Sequence, residues 1–257
     1  MKPIVIIAAV PQEIELLEKV LEYSGRVKAG GFEHVEGTIG NLRIVVCAGG
    51  AGKVNAAAAT AVMIDRYQPQ LVINTGCAGA YSGSGLSVGN LVLASEDVLA
   101  DDGVAVDDGW HDLRYMNLPA VERGEASYYN VMPLSRLASE KAMQLADYYG
   151  VFIMRGRCAT VSTCSGTNLH GAALSQRWNA LAESMEGAAV AQVCLRCGID
   201  CLEIRGISNL VEERDLATWD IAGAVEAAQR FVLKYLEEID RPEIASAAKA
   251  TPESVER

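Results

Sequence analysis

Several protein classes are excluded by what this chain has little of. Basic residues are scarce: 22 Lys and Arg stand against 33 Asp and Glu, for a net charge of -11 and a pI near 4.8. Such a field repels nucleic-acid backbones and anionic lipid surfaces, so neither nucleic acid nor a membrane is an expected partner. Long apolar runs are also missing. The opening stretch from Ile4 to Val10 is too short to span a bilayer and lacks the basic flank and small-residue cleavage site of a secretory signal. A cytoplasmic protein is expected. The 3 histidines, His34, His111 and His170, are too scattered for a triad or a metal cluster. Cysteines number 7, an odd count in a chain long enough to need no staples, which fits free thiols in a reducing compartment. Cys194, Cys197 and Cys201 run from a predicted helix into a predicted strand with no second ligand pair nearby, so no metal site is expected from them.

Nucleotide-binding loops are missing too. Gly49-Gly50-Ala51-Gly52-Lys53 looks like a phosphate-binding loop, but Cys47 stands where a glycine is required and Val54 where a hydroxyl is required. The segment from Gly76 to Gly89 has no G-x-G-x-x-G. No linker and no internal repeat divides the chain.

What is present is an ordinary globular balance, 50% hydrophobic and 21% charged. Ile4 to Ala9 reads as a buried strand, followed by Pro11 and a helix carrying Ile14, Leu17 and Leu21 at helical spacing. A hairpin is predicted over Val35 to Ile39 and Leu42 to Ala48 around Gly40-Asn41, then an alanine-rich helix from Gly52 to about Tyr67. Leu71 to Asn74 is a predicted strand entering a glycine loop, and Asn90 to Leu99 another strand. Asp101 to Asn130 is a long irregular acidic segment. Helices are predicted over Pro133 to Tyr149, Leu169 to Trp178, Glu186 to Cys197 and Trp219 to Ile239, with extended chain over Phe152 to Thr163 and Cys201 to Ile207.

Apolar strands alternating with helices indicate an α/β fold: a single domain over residues 1–240, with a central mixed, twisted sheet flanked by helices. Residues 241–257, rich in Ala, Pro and Glu, read as a flexible tail. Ligands in such folds bind beyond the carboxyl ends of strands. That directs attention to Val10–Glu13, Thr75–Gly79, Ser162–Thr167, Ser184–Gly187 and Ser208–Val211.

Three pieces at these strand ends are specific in combination: Pro11-Gln12-Glu13, Asn74-Thr75-Gly76-Cys77-Ala78-Gly79, and Ser184-Met185-Glu186-Gly187 followed by Arg205-Gly206-Ile207-Ser208-Asn209. Together they resemble the nucleoside phosphorylase and methylthioadenosine nucleosidase superfamily, over essentially all of residues 1–240. The R-G-I-S-N ending, the long segment after residue 100 and Thr160-Val161-Ser162-Thr163-Cys164-Ser165-Gly166-Thr167 look most like the futalosine hydrolases. The resemblance implies release of hypoxanthine from futalosine in menaquinone biosynthesis, by a homo-oligomer, dimeric or larger, that needs no metal or organic cofactor.

Breaking a purine N-glycosidic bond passes through an oxocarbenium-like sugar, so water must be activated, the sugar hydroxyls held and the departing base stabilised. By itself Glu13 is a helix-entry acid; the resemblance makes it the general base for water. Glu186 matches the acceptor of the two ribose hydroxyls, since an ionised carboxylate only accepts and the diol donates. Asn209 stands where adenine-specific nucleosidases carry aspartate. Two amide N–H groups would suit N7 and O6 of a 6-oxopurine; the competing account is an asparagine bonded to local backbone in a turn. Cys77, Ala78, Gly79, Thr163, Met185 and Ser208 complete the substrate-binding set that the resemblance implies, with Met185 under the ribose or, as a rival account, in the core.

Phosphorolysis would require cations to hold phosphate, and the family's phosphorylases carry arginine after the first strand and before the glycine loop. Glu13 and Asn74 occupy those regions, so water is the expected acceptor. An adenine-nucleoside hydrolase (methylthioadenosine, S-adenosylhomocysteine or aminodeoxyfutalosine as substrate) and a catalytically silent nucleoside-binding protein are the other readings. Trp110, Tyr115, Tyr128, Tyr129, Arg114 and Arg123 in the long acidic segment are either surface elaboration or the contacts to futalosine's acyl-benzoate tail.

Overall fold

The computed structural model describes residues 2–240. The expectation for the tail falls on residues outside that range. In chain order the strands and helices are β1 (Ile4–Ala8), α1 (Glu15–Val20), β2 (Glu22–Ala29), β3 (Phe32–Ile39), β4 (Leu42–Ala48), α2 (Lys53–Tyr67), β5 (Leu71–Tyr81), β6 (Leu91–Leu99), β7 (Gly103–Val106), β8 (Gly109–Asp112), β9 (Val121–Arg123), β10 (Ala126–Tyr128), β11 (Val131–Pro133), α3 (Arg136–Tyr149), β12 (Ile153–Thr160), α4 (Asn168–Trp178), β13 (Ala182–Ser184), α5 (Gly187–Cys197), β14 (Asp200–Val211) and α6 (Ile221–Asp240).

One mixed 10-stranded sheet organises the chain. Its centre is β1, parallel to β4 on one side and to β5 on the other. Every residue of β1 is buried, as a parallel strand covered on both faces must be. Its side chains alternate between two cores with the period of 2 that the pleat imposes. Ile4 and Ile6 pack with Phe231, Val232, Tyr235 and Leu236 of α6, whereas Val5 and Ile7 pack with Ala56, Ala59 and Met63 of α2 and with Val190 of α5.

Beyond β5 the sheet closes on itself. β5 pairs with β14, β14 with β6, β6 with β12, β12 with β13, and β13 returns to β5. Closure explains the main departure from the sequence reading. The segment after Asn74, predicted as a glycine loop, is the second half of β5, continuing to Tyr81. Its small residues have weak strand preference, but β14 and β13 pair with it along that half, and tertiary pairing overrides propensity. β14 likewise runs on through Asn209 to Val211, with a one-residue irregularity at Ser208.

Other differences are local. The strand β2 has no apolar alternation because it is an exposed edge carrying Glu22, Arg26 and Lys28, charges that discourage further pairing. The acidic segment from Asp101 to Asn130 contains two small two-stranded sheets, β7–β8 and β9–β10. Trp219 precedes α6 instead of starting it. Among the described residues no helix is long and apolar enough to cross a membrane.

Candidate active site

Residues from all five strand-end segments line one cavity of about 360 Å³. Glu13, Cys77, Ala78, Gly79, Met185, Glu186, Ser208 and Asn209 are among its walls, and so are Cys164, Ser165, Glu183, Arg214 and Trp219. Thr163 is not. It is exposed, and its backbone N–H points to Asp101 Oδ2 at 3.3 Å.

Glu13 stands on the short turn that Pro11 opens after β1. Its Oε2 accepts from the backbone N–H of Ala9 (2.9 Å) and Val10 (3.2 Å), and its Oε1 accepts from that of Cys77 (3.0 Å). Three donors fix an acceptor-only group across the gap between β1 and β5. Gly76 makes this approach possible, since a Cβ there would collide with the Glu13 carboxylate.

Behind Glu13 lies a charge network centred on Arg205, a motif residue to which the sequence assigns no role of its own. Arg205 on β14 is 1% exposed. Its guanidinium donates to Glu203 (2.6 Å), Asn74 Oδ1 (2.5 Å), the Cys77 carbonyl (3.2 Å) and Glu186 (3.5 Å). Burial by itself would lower its pKa, but the charges of Glu203, Glu186 and Glu13 overturn that and raise it. Glu186, just before α5, also accepts the Gly52 N–H at 2.9 Å. Asn74 therefore orients this guanidinium from behind the cavity wall, with its own amide donating to the Ile7 carbonyl at 3.0 Å. A signal for Arg205 was in the sequence: Glu203 and Arg205 stand two apart in an apolar strand, hence on one face, and buried charges occur in pairs.

Deeper still, Asp97 on β6 accepts from Thr160 Oγ1 (3.0 Å) and the Val98 N–H (2.6 Å). Its Oδ2 and the Oε2 of Glu203 have no protein partner. Burial and the Glu203 charge push the Asp97 carboxyl well above the usual carboxylate range.

Cys77 is half-buried, and burial plus the Glu13 carboxylate push its thiol up to about 11. It is a protonated thiol at neutral pH and a poor nucleophile. Cys194 and Cys201 are buried and Cys197 is exposed. Among the described residues no three His, Cys, Asp or Glu side chains converge as a metal site.

Asn209 differs in detail from expectation. It lies in β14 and not in a turn, yet one amide N–H donates to the Leu210 carbonyl at 2.9 Å. Its Oδ1 accepts from Ser208 Oγ at 2.8 Å. One N–H remains for a base, not two. The six aromatic and basic residues of the acidic segment do not line this cavity. Trp110 packs against Trp178 and under Arg177, and Arg114 lies over Tyr129. Arg214 is instead the cation on the cavity wall, which it shares with three carboxylates, Glu13, Glu183 and Glu186. Its guanidinium sits 4.8 Å from the Trp219 ring and forms no ion pair with a described residue.

Comparison with known proteins agrees with this geometry. The sequence pattern of the phosphorylase superfamily matches residues 3–237. The chain belongs to that superfamily. A 5'-methylthioadenosine/S-adenosylhomocysteine nucleosidase of Bacillus thuringiensis (strain Al Hakam) is 30% identical over 92% of this chain and 99% of its own. A crystal structure of the Neisseria meningitidis enzyme of that name, in complex with methylthio-immucillin-A, superposes with a TM-score of 0.81 at 26% identity, covering 93% of this chain and 100% of that one. A futalosine hydrolase mutant of Helicobacter pylori strain 26695 superposes equally, with a TM-score of 0.81, over 93% of this chain and 100% of its own; at 24% identity this likeness is one of fold. The fold, the central sheet included, is thus shared with these structures.

Proposed function

We propose that this chain hydrolyses the N-glycosidic bond of a purine nucleoside, and that its substrate is a 6-oxopurine nucleoside, futalosine by the sequence resemblance. Hydrolysis rests on one observation: Glu13 and Glu186 face the same cavity, Arg205 pairing with Glu186 and bonding the Cys77 carbonyl while the Cys77 N–H donates to Glu13. Glu186, held by Gly52 and Arg205, accepts from the ribose diol. Glu13 takes a proton from water as the water oxygen bonds to the anomeric carbon, and the electron pair of the broken C–N bond leaves with the base. The base then acquires a proton from the medium.

Asn209 supports the 6-oxopurine. An amide cannot protonate N7, so the base must depart carrying negative charge, stabilised by the free amide N–H. A 6-carbonyl spreads that charge onto oxygen; the 6-amino group of adenine does not. Arg214 over Trp219 is a site for the anionic, aromatic tail of futalosine.

The second reading is hydrolysis of methylthioadenosine or S-adenosylhomocysteine, favoured by the names of the relatives at 30% identity. Base release from futalosine, inosine and methylthioadenosine, measured in parallel in phosphate-free buffer, separates the two. Hypoxanthine from futalosine well above inosine supports the first reading. Adenine from methylthioadenosine establishes the second, and release that requires added phosphate refutes hydrolysis.

A further inference from the structure

The register of three neighbouring strands puts a second recognition group opposite Asn209. On β5, Gly79 is paired with Glu183 of β13 on one side and with Asn209 of β14 on the other. Residues paired across strands project to the same face, and all three line the cavity. Ser208 takes part, because the register irregularity between Ile207 and Asn209 sets the phase of Asn209. Strand spacing puts the Glu183 and Asn209 backbones about 10 Å apart. The glycine between them has no side chain to fill the interval; a Cβ there would stand 3.0 Å from Asn209 Nδ2. The result is a slot with a glycine floor, an amide on one wall and a carboxylate on the other.

Glu183 is 7% exposed and forms no ion pair with a described residue. Ser165 holds it, its N–H donating to Oε1 at 2.8 Å and its hydroxyl to Oε2 at 2.7 Å. Each carboxylate oxygen keeps a lone pair. Burying a carboxylate without a cation is costly, and a ligand donor in the slot would offset that cost.

We infer that Glu183 reads the N1–H of a 6-oxopurine, so that Glu183, Gly79 and Asn209 recognise the base edge together and Glu183 sets the preference over adenine. This rests on the nucleoside reading above and adds the group that discriminates. N7 accepts in both bases, so the one free N–H of Asn209 cannot tell them apart. N1 can: it is a donor in hypoxanthine and guanine, and an acceptor in adenine. An adenine N1 facing Glu183 would set lone pair against carboxylate and leave both unpaired, the arrangement by which polar sites reject near-isosteres most strongly.

Calorimetric binding of hypoxanthine, 1-methylhypoxanthine and adenine to the wild type and to Glu183→Gln tests this without requiring turnover. The wild type should bind hypoxanthine more tightly than either other base. In Glu183→Gln the hypoxanthine-to-adenine affinity ratio should fall about tenfold to a hundredfold, the loss expected for a charged hydrogen bond, because the new amide can donate to adenine N1. An unchanged ratio in a folded variant overturns the inference. So does a wild type that binds 1-methylhypoxanthine as well as hypoxanthine, a result that needs no variant. Parallel base-release assays keep the two ideas apart. If hypoxanthine is the base released and the ratio does not move, the role of Glu183 fails alone; if the wild type releases adenine in preference, the 6-oxopurine reading fails and Glu183 with it.

Discussion

The cavity has two unlike sides. Its inner wall, carrying Glu13, Glu186 and Asn209 with Arg205 behind, rests on β1, β5, β14 and the start of α5, and most of its polar atoms have protein partners. Its rim, carrying Cys164, Arg214 and Trp219, stands on loops after β12 and β14, and Arg214 has no ion-pair partner among the described residues. The inner wall is fixed before any ligand arrives, and preorganised groups suit bond breaking because they need no rearrangement in the transition state. A cation on the rim without an ion pair among the described residues suits recognition of a variable substituent. On the proposed reading, bond breaking and base recognition belong to the first side and recognition of the substituent to the second.

That contrast can be broken most directly at Glu13. Glu13→Gln should lower kcat by about 10² to 10⁴ while leaving base binding intact; undiminished turnover would remove Glu13 from the reaction. Arg205→Met should be the most damaging to the scaffold, because Glu203, Glu186 and Asn74 lose their common donor. A loss of about 3 to 5 kcal/mol is expected on removing one side of a buried ion pair, read by denaturant unfolding, and an unperturbed midpoint would mean that the network is not structural. On the rim, Arg214→Ala should raise KM for an anion-tailed nucleoside by about threefold to tenfold, because exposure weakens the pairing, and should leave inosine unchanged. Equal effects on both substrates would put Arg214 at the base or sugar instead.

The smallest effect is expected at Asp97, and it depends on pH. Its carboxyl titrates higher in the folded chain than in the unfolded one, so the folded state holds the proton more tightly. Its contribution to stability is complete below the unfolded pKa of about 3.9 and is lost as pH rises through the folded value. Asp97→Asn should therefore flatten the fall of Tm with rising pH. An identical slope in the variant would show that the Asp97 carboxyl does not titrate above its unfolded value.

The sequence by itself determined the class of fold and where to look. Apolar runs of strand length between helical patterns specify a covered sheet, and the rule that ligands sit at carboxyl ends of strands picked five segments that all contribute to the cavity, though not Glu183, Arg214 or Trp219. Local patterning works there because burial on both faces demands continuous apolar residues, as in Ile4–Ala8. Glu13 and Glu186 were legible only through a family resemblance, since a carboxylate at a helix entry has a local explanation of its own.

Tertiary structure decided the rest. Closure of the sheet turned a predicted glycine loop into the second half of β5, and that half places Gly79 between Glu183 and Asn209. No local pattern encodes this, because strand pairing joins residues about a hundred positions apart. The amide of Asn209 lost one expected donor to a carbonyl one residue away, a consequence of backbone geometry in β14. Arg205 and Glu203 could be suspected from their spacing, but their partners Asn74 and Glu186 come from β5 and the start of α5, which only the folded sheet brings together.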